Sequence, residues 1–168
     1  KVWNVMERAQ WHSFQVLTKR PDNMRDVLKA AKLPLLRNVW LGTSVESGDY
    51  VDRIKVLRTI PAEVRFVSFE PLIGAVGKPS LGGIHWAIVG GESGPSARPM
   101  DETWVTAIQE NCEKFGTAFF FKQWGGFRKS EAGRELDGQT YDELPPRVQT
   151  TPLTLLERRN LIEGISLG

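Results

Sequence analysis

Five short apolar runs, separated by stretches with helical periodicity, limit the folds open to this chain. Each run is rich in Val, Ile, Phe and Trp, which is typical of buried strands. Because near-continuous apolar strands that alternate with amphipathic helices form parallel sheets covered by helices, the pattern predicts an α/β fold. The runs are FQVLT (14–18), VWLGTS (39–44), VRFVSFE (64–70), WAIVGG (86–91) and AFFFKQW (118–124).

Several of the links between these runs carry helix patterns. PDNMRDVLKAAK has Pro21 near its first turn, and DYVDRIKVLRTI repeats apolar residues at helical spacing. DETWVTAIQENCEKFG offers Asp101 as the N-cap and Gly116 as the residue that ends the helix. We expect a helix in each of these stretches. The link 71–85, by contrast, is too short and too rich in Gly and Pro for a full helix.

Consecutive strand–helix units of this kind build βα barrels. At about 25 residues per unit, the units here are too few to close an eight-stranded barrel, which typically needs ~250 residues. We therefore predict that residues 1–126 form a partial TIM-like βα barrel of about five parallel strands. Residues 127–168 are predicted to form a C-terminal extension, in which LDGQT indicates a small hairpin and TPLTLLERRNLIEG a terminal helix capped by Thr151.

Composition limits the classes of partner. The net charge of +2 and the pI of 8.8 give no indication of nucleic-acid binding. The sequence contains no run as long as a membrane span and no recognisable signal peptide, so we expect a cytoplasmic protein with no membrane partner. Cys112 is the single cysteine, which leaves this chain without an internal disulfide or a multi-cysteine metal site. We therefore predict no cofactor or metal held by this chain alone.

Polar residues follow every predicted strand, whereas the residues at the strand starts show no comparable set of ligand-binding side chains. In parallel βα folds, ligands bind beyond the carboxyl ends of the strands. The sequence therefore predicts a small-molecule ligand at this rim. The candidate residues are the carboxylates Glu46, Glu70 and Glu92, the basic residues Lys19, Arg20 and Lys122, and the small, polar or aromatic residues Ser44, Ser68, Gly90, Gly91, Ser93, Gln123 and Trp124.

The carboxylates share a pattern, a small residue, a spacer and then Glu. Because residues two apart share a face of a strand, we expect Glu46, Glu70 and Glu92 to converge on one opening at this rim, which we call the mouth of the site. Converging carboxylates bind a divalent cation, take up a proton or bind an amine. An individual glutamate at a strand end is most often a cap for the next helix or a salt-bridge partner. Gly90 and Gly91 either ease a tight bend or bring backbone N–H groups close to an anion.

These motifs also resemble a known family. FQVLTKRP, NVWLGTSVE, VRFVSFEPL, WAIVGGESGPSARPM, FFFKQWGG and GRELDG together resemble a phage-associated family of unknown function, over about residues 10 to 145. Full-length members of that family carry a three-cysteine motif near the N-terminus. That motif is similar to the one that holds the [4Fe–4S] cluster of radical S-adenosylmethionine enzymes, which use partial or full βα barrels. This sequence has no such cysteine segment.

The resemblance implies that the chain is the C-terminal part of a radical S-adenosylmethionine-like enzyme and is inactive alone. S-adenosylmethionine and a [4Fe–4S] cluster are then expected in the full-length protein. Glu46, Glu70 and Glu92 would bind amino or ribose groups of the cofactor or substrate, and Lys122 and Gln123, with Lys19, would contact carboxylate or phosphate. Two alternatives stay open: a divalent-metal site built from the three glutamates, and a non-enzymatic module that binds a phage or host protein.

The predicted truncation has a consequence for strand 14–18. If upstream barrel units are missing, this strand has no neighbour on one side, and it carries neither Pro nor an inward charge to guard the edge. We expect a second copy of the chain, in a homodimer, or residues 127–168 to cover it.

Overall fold

The computed structural model describes residues 1–127, 132–146 and 151–163. In this part of the chain five strands form one sheet, and all strand pairs between neighbours are parallel. The order of the strands across the sheet equals their order along the chain, which confirms the predicted parallel α/β fold. The strands are β1 (Phe14–Thr18), β2 (Val39–Ser44), β3 (Val64–Phe69), β4 (Trp86–Gly90) and β5 (Ala118–Gln123).

All of the predicted helices are present. Asp101 caps one of them by accepting a hydrogen bond from the Thr103 N–H (2.8 Å), and Gly116 ends it in the left-handed conformation (φ 64°). The link 71–85 contains no helix, as predicted. One further helix, at the start of the chain, was not predicted. The described helices are α1 (Val2–Arg8), α2 (Pro21–Ala30), α3 (Asp52–Arg58), α4 (Glu102–Phe115) and α5 (Leu155–Glu163), with a 3₁₀ turn at Gly48–Tyr50.

The two faces of the sheet are packed differently. One face contributes to a core shared with α1, α3 and α4. The other, which we call the open face, carries an aromatic cluster to which no described helix contributes. Its side chains come from alternate positions of the strands, so they share the face that the helices leave free. The cluster consists of Trp40, Val64, Phe66 and Trp86, with Ile88, Ala118 and Phe120 packed against it.

The C-terminal extension packs along β5. Phe121 donates its N–H to the carbonyl of Tyr141 (3.0 Å), and Glu143 donates its N–H to the carbonyl of Phe119 (3.2 Å). The Trp86 indole donates to the Glu143 carbonyl at 2.9 Å. This segment therefore covers the β5 edge of the sheet, at the opposite side from β1.

The predicted Asp-Gly turn is confirmed. Asp137 and Gly138 both have positive φ (51° and 74°), as a two-residue hairpin turn requires. Leu136 and Gln139 exchange backbone hydrogen bonds of 2.9 and 3.1 Å across it. Residues 128–131, 147–150 and 164–168 of the predicted extension lie outside the described residues.

The predicted cap of the terminal helix is wrong. Thr154, not Thr151, caps α5, which begins at Leu155. The Thr154 hydroxyl accepts from the Glu157 N–H (3.3 Å), and the Glu157 carboxylate accepts from the Thr154 N–H (2.8 Å). This reciprocal pair is a capping box, which satisfies two backbone donors where Thr151 would satisfy one.

The β1 edge has no second strand beside it among the described residues. Leu17 is 49% exposed there. Helix α5 approaches the chain just before β1, where Arg158 lies 5.5 Å from the Trp11 ring, and does not pair with the strand. Pairing of this edge with a second copy stays a prediction. Within the described ranges, no helix is both long and apolar enough to cross a bilayer.

Candidate functional site

A cavity of about 420 Å³ lies on the open face, and its size suits a small-molecule ligand. Its floor is aromatic: the Trp86 ring lies 5.9 Å from Phe66 and 5.9 Å from Phe120, between ring centroids. Its upper wall, toward the carboxyl ends of the strands, is polar. The cavity is lined by Gln15, Leu17, Phe66, Ser68, Glu70, Trp86, Ile88, Phe120 and Lys122.

Gly42 shapes the floor of this cavity. In the parallel register Gly42 is the partner of Phe66 on the neighbouring strand. A Cβ atom at Gly42 would lie 2.6 Å from Cε1 of the Phe66 ring, so only glycine leaves space for the ring to lie across β2. The glycine inside the apolar run VWLGTS is therefore explained by a close approach of a neighbouring aromatic ring.

The polar wall is an ion pair. Lys122 Nζ lies 3.2 Å from Glu70 Oε1, and the Ser68 hydroxyl donates to Glu70 Oε2 at 3.2 Å. Gly90 makes room for this carboxylate, because a Cβ there would lie 3.2 Å from Glu70 Cδ and closer still to an oxygen. Both charged side chains keep access to solvent, with 21% of Glu70 and 53% of Lys122 exposed. The cavity thus offers one anion and one cation above an aromatic floor.

Gly91 has a different role from Gly90. The loops that follow β4 and β5 continue to pair: Gly91 donates its N–H to the Gln123 carbonyl (3.0 Å), and Gly126 donates to the Glu92 carbonyl (2.7 Å). A Cβ at Gly91 would overlap the Trp124 carbonyl. The Gln123 amide donates to the Ser93 hydroxyl at 2.8 Å, which joins the same two loops. The Gly91 N–H is therefore already hydrogen-bonded within the chain and is not available to bind an anion.

Glu92 closes the loop that follows β4. Its carboxylate accepts two hydrogen bonds from the Arg98 guanidinium, each 2.8 Å, and a third from the Arg98 backbone N–H (3.0 Å). These bonds stabilise the charged form and lower the pKa of Glu92 to about 2. Glu92 and Arg98 together hold the loop 92–98 in shape.

This pair gives a pH prediction. Because the pKa of Glu92 falls from 4.5 to about 2 on folding, its stabilising effect is complete above about pH 4.5 and is lost as the pH falls toward 2. The substitution Arg98→Ala should remove most of this contribution, so that the variant loses less stability than the wild type between about pH 5 and pH 3. Urea unfolding at both pH values measures the difference. Equal losses of unfolding free energy in the two proteins would show that Arg98 does not cause the low pKa of Glu92.

Glu46 is buried, with 4% of its surface exposed. Its carboxylate lies 2.7 Å from Lys19 Nζ and 2.8 Å from Arg53 Nη1, and Arg53 also donates to the Ser44 carbonyl (2.9 Å). Burial raises the pKa of Glu46, but the two cations outweigh it, and the net pKa is lowered. Since Arg53 belongs to α3, this carboxylate is tied to the helix layer and does not line the open-face cavity.

The three glutamates therefore have separate partners, and the cavity is lined by Glu70 without Glu46 or Glu92. This arrangement does not support the prediction that all three share one mouth. In the described ranges, no group of three His, Cys, Asp or Glu residues is placed to hold a metal ion. Arg20 lies elsewhere, at the start of α2, where its side chain donates to Asn23 (3.3 Å).

The aromatic floor was missed in the sequence. Phe66 lies two residues before Ser68 and four before Glu70, and Phe120 lies two before Lys122. The period of two that predicts the polar rim therefore also places these rings on the same face. The Trp124 ring, by contrast, packs against Phe121 (4.8 Å between centroids), and its indole donates to the Glu135 carbonyl (2.8 Å).

Residues 1–145 match the model of a family described as "Protein of unknown function (DUF5131)". The chain belongs to the DUF5131 family. The match contains all five described strands and every residue that lines the open-face cavity, whereas α5 lies beyond it. Comparison with curated proteins gave no match, and neither did comparison with solved structures.

Proposed function

We propose that this chain is the ligand-binding part of a radical S-adenosylmethionine-like enzyme, and that the open face is the interior of a partial βα barrel. The observation that carries the proposal is the cavity with the Glu70–Lys122 pair above an aromatic floor. The sequential order of the strands and the placement of the helices on one face of the sheet support the interpretation as a partial barrel. The resemblance of the strand-end motifs supports the enzyme class and the phage setting.

The cavity favours a ligand with three chemical features. An amine binds Glu70 and Ser68, a carboxylate binds Lys122, and a planar ring or a sulfonium packs on Phe120, which keeps exposed surface beside the buried rings of Phe66 and Trp86. S-adenosylmethionine has all of these groups. An amino-acid substrate with an apolar side chain shares the first two and part of the third. The roles of these residues are to bind and orient the ligand and to exclude water from its apolar part.

The residues of this chain do not fit an iron–sulfur cluster. Such clusters are held by thiolates, usually four of them, and this sequence has one cysteine. Cys112 is 1% exposed, and burial, with smaller effects of Glu143 and Glu113, raises the pKa of its thiol to about 12. A cluster, if the enzyme uses one, has its ligands outside the sequence of this chain.

Calorimetric titration of the chain with S-adenosylmethionine tests the proposal. We expect one site per chain, and we expect Glu70→Gln and Lys122→Met each to weaken binding by about ten- to a hundredfold, because each removes a charge-assisted contact worth about 1.5–3 kcal/mol. Lys114→Met, on α4, is the matched control and should bind like the wild type. Equal affinity of the wild type, Glu70→Gln and Lys122→Met would contradict the site.

A cavity-filling variant tests the floor separately from the ion pair. The substitution Gly42→Ala leaves Glu70 and Lys122 unchanged but forces the Phe66 ring away from β2 and into the cavity. We expect it to weaken binding at least as much as Lys122→Met and to cost about 1–3 kcal/mol of unfolding free energy. Unchanged binding by a folded Gly42→Ala variant would show that the ligand does not use the aromatic floor.

A further inference from the structure

A second concave surface, of about 650 Å³, lies at the other end of the sheet, beside the amino ends of β2 and β3. We propose that it binds an acidic amphipathic helix of a partner protein. We call it the α2–β3 groove. It is lined mainly by one side of α2, by residues 32–36 and by residues 59–62.

The groove is mainly apolar, and part of its apolar surface is exposed. Leu35 is 55% exposed at its edge, and Leu33, Pro34 and Pro61 line its walls. A contiguous apolar patch with a polar border is typical of a protein interaction site. A partner that covers this surface would gain from removing it from water.

The charges along one border specify the partner. Arg25, Lys29 and Lys32 are spaced i, i+4 and i+7, so they follow one side of α2 and its end. No acidic residue lines the groove. Arg25 pairs with Asp26 (2.9 Å), and Arg25 and, to a smaller extent, Lys29 lower the pKa of the Asp26 carboxyl. Within the described residues, neither Lys29 nor Lys32 lies in a direct ion pair. A partner with carboxylates beside its apolar face would neutralise these two lysines.

Lys32 has an unusual backbone. It lies just after α2 with φ 48°, and Leu33 donates its N–H to the Leu28 carbonyl (3.1 Å) while Lys32 donates to the Lys29 carbonyl (3.2 Å). This is the Schellman arrangement, in which the left-handed position is usually glycine. A lysine there is strained, and such strain tends to accompany a functional side chain.

The partner element is a helix because the groove offers no strand edge. Strands β2 and β3 are each paired on both sides, so their backbone groups are already bonded. A helix satisfies its own backbone and needs only an apolar surface with charges at its border. The groove has both.

A peptide-display selection on the whole chain tests this inference. The library contains helical peptides about four turns long, with Leu at i, i+3, i+4 and i+7 and with Glu, Gln or Lys at the flanking positions. We expect selection of Glu at the flank that faces Lys29 and Lys32. The double variant K29E/K32E should reverse the preference to Lys, and K114E, on α4, should leave it unchanged. Absence of charge selection, or selection that K29E/K32E does not change, would overturn the proposal.

The variant Lys32→Gly separates binding from folding. Glycine relieves the backbone strain, so we expect it to unfold at a higher urea concentration while binding the selected peptide several-fold more weakly. Peptide binding as tight as that of the wild type would show that Lys32 does not contact the peptide. Co-flotation of the wild type, but not of K29E/K32E, with vesicles of equal parts phosphatidylcholine and phosphatidylserine, without peptide selection, would assign the groove to a membrane surface and overturn the peptide proposal.

Discussion

Replacing Gly91 with alanine is expected to lower the free energy of unfolding by about 3 kcal/mol or more, the upper part of the range for overpacking. The added Cβ would overlap the carbonyl oxygen of Trp124 and lie 2.7 Å from its carbonyl carbon. Both atoms are backbone, so no side-chain rotation relieves the clash. The two loops must separate, which breaks the bonds of Gly91 to Gln123 and of Gly126 to Glu92.

Gly82→Ala is the matched control for this prediction. A Cβ at Gly82 meets its nearest atom, the Ser80 hydroxyl oxygen, at 3.6 Å, which is ordinary contact. We expect this variant within about 1 kcal/mol of the wild type, since alanine also restricts the unfolded chain. Urea denaturation compares the two variants. A Gly91→Ala protein as stable as Gly82→Ala would show that the loops after β4 and β5 do not pack as closely as described.

The second large effect is expected at Arg53. Arg53→Met should cost about 2–3 kcal/mol, because it leaves the buried Glu46 carboxylate with one partner and the Ser44 carbonyl without its side-chain donor. Lys19 remains beside Glu46, which keeps the cost below that of a fully unpaired buried charge. The same substitution should raise the pKa of Glu46, so acid unfolding should begin at a higher pH.

Two further variants test whether the effect of Arg53→Met depends on its ion pair with Glu46. Lys55→Met removes an exposed ion pair with Asp52, and we expect a cost of about 0.5 kcal/mol or less. In a Glu46→Gln background, Arg53→Met should cost less unfolding free energy than in the wild type, since the carboxylate that pairs with Arg53 is absent. Additive losses of stability in the double variant would show that Arg53 and Glu46 act independently.

The fold was largely predictable because its determinants are local. Apolar runs of strand length, Asp101 as a cap and Gly116 as a stop depend on neighbouring residues, and they predicted the strands and α4. Helix α1 was missed because it is a short segment that lacks a side-chain cap. Its one buried residue, Met6, becomes apparent only in the tertiary core.

The rim that carries the candidate site was predictable from the sequence, but the partners of its side chains were not. The carboxyl-end rim follows from strand polarity, and Glu70 and Lys122 do lie together there. The partners of the other two glutamates depend on loop conformation: Arg98 reaches Glu92 only because the loop turns back, and Arg53 reaches Glu46 from the next helix. The repeated small-x-Glu pattern therefore reports strand ends rather than three equivalent ligands.

We expect the open-face cavity to bind a ligand carrying an amine, a carboxylate and an apolar group. Amide chemical-shift mapping of the isotope-labelled chain during titration with S-adenosylmethionine measures this binding residue by residue. The expected result is a set of saturable shifts at Ser68, Glu70, Phe120 and Lys122, which is lost in Lys122→Met and retained in Lys114→Met. Shifts confined to residues outside the cavity, or no saturable shifts in the folded wild-type chain, would contradict the claim.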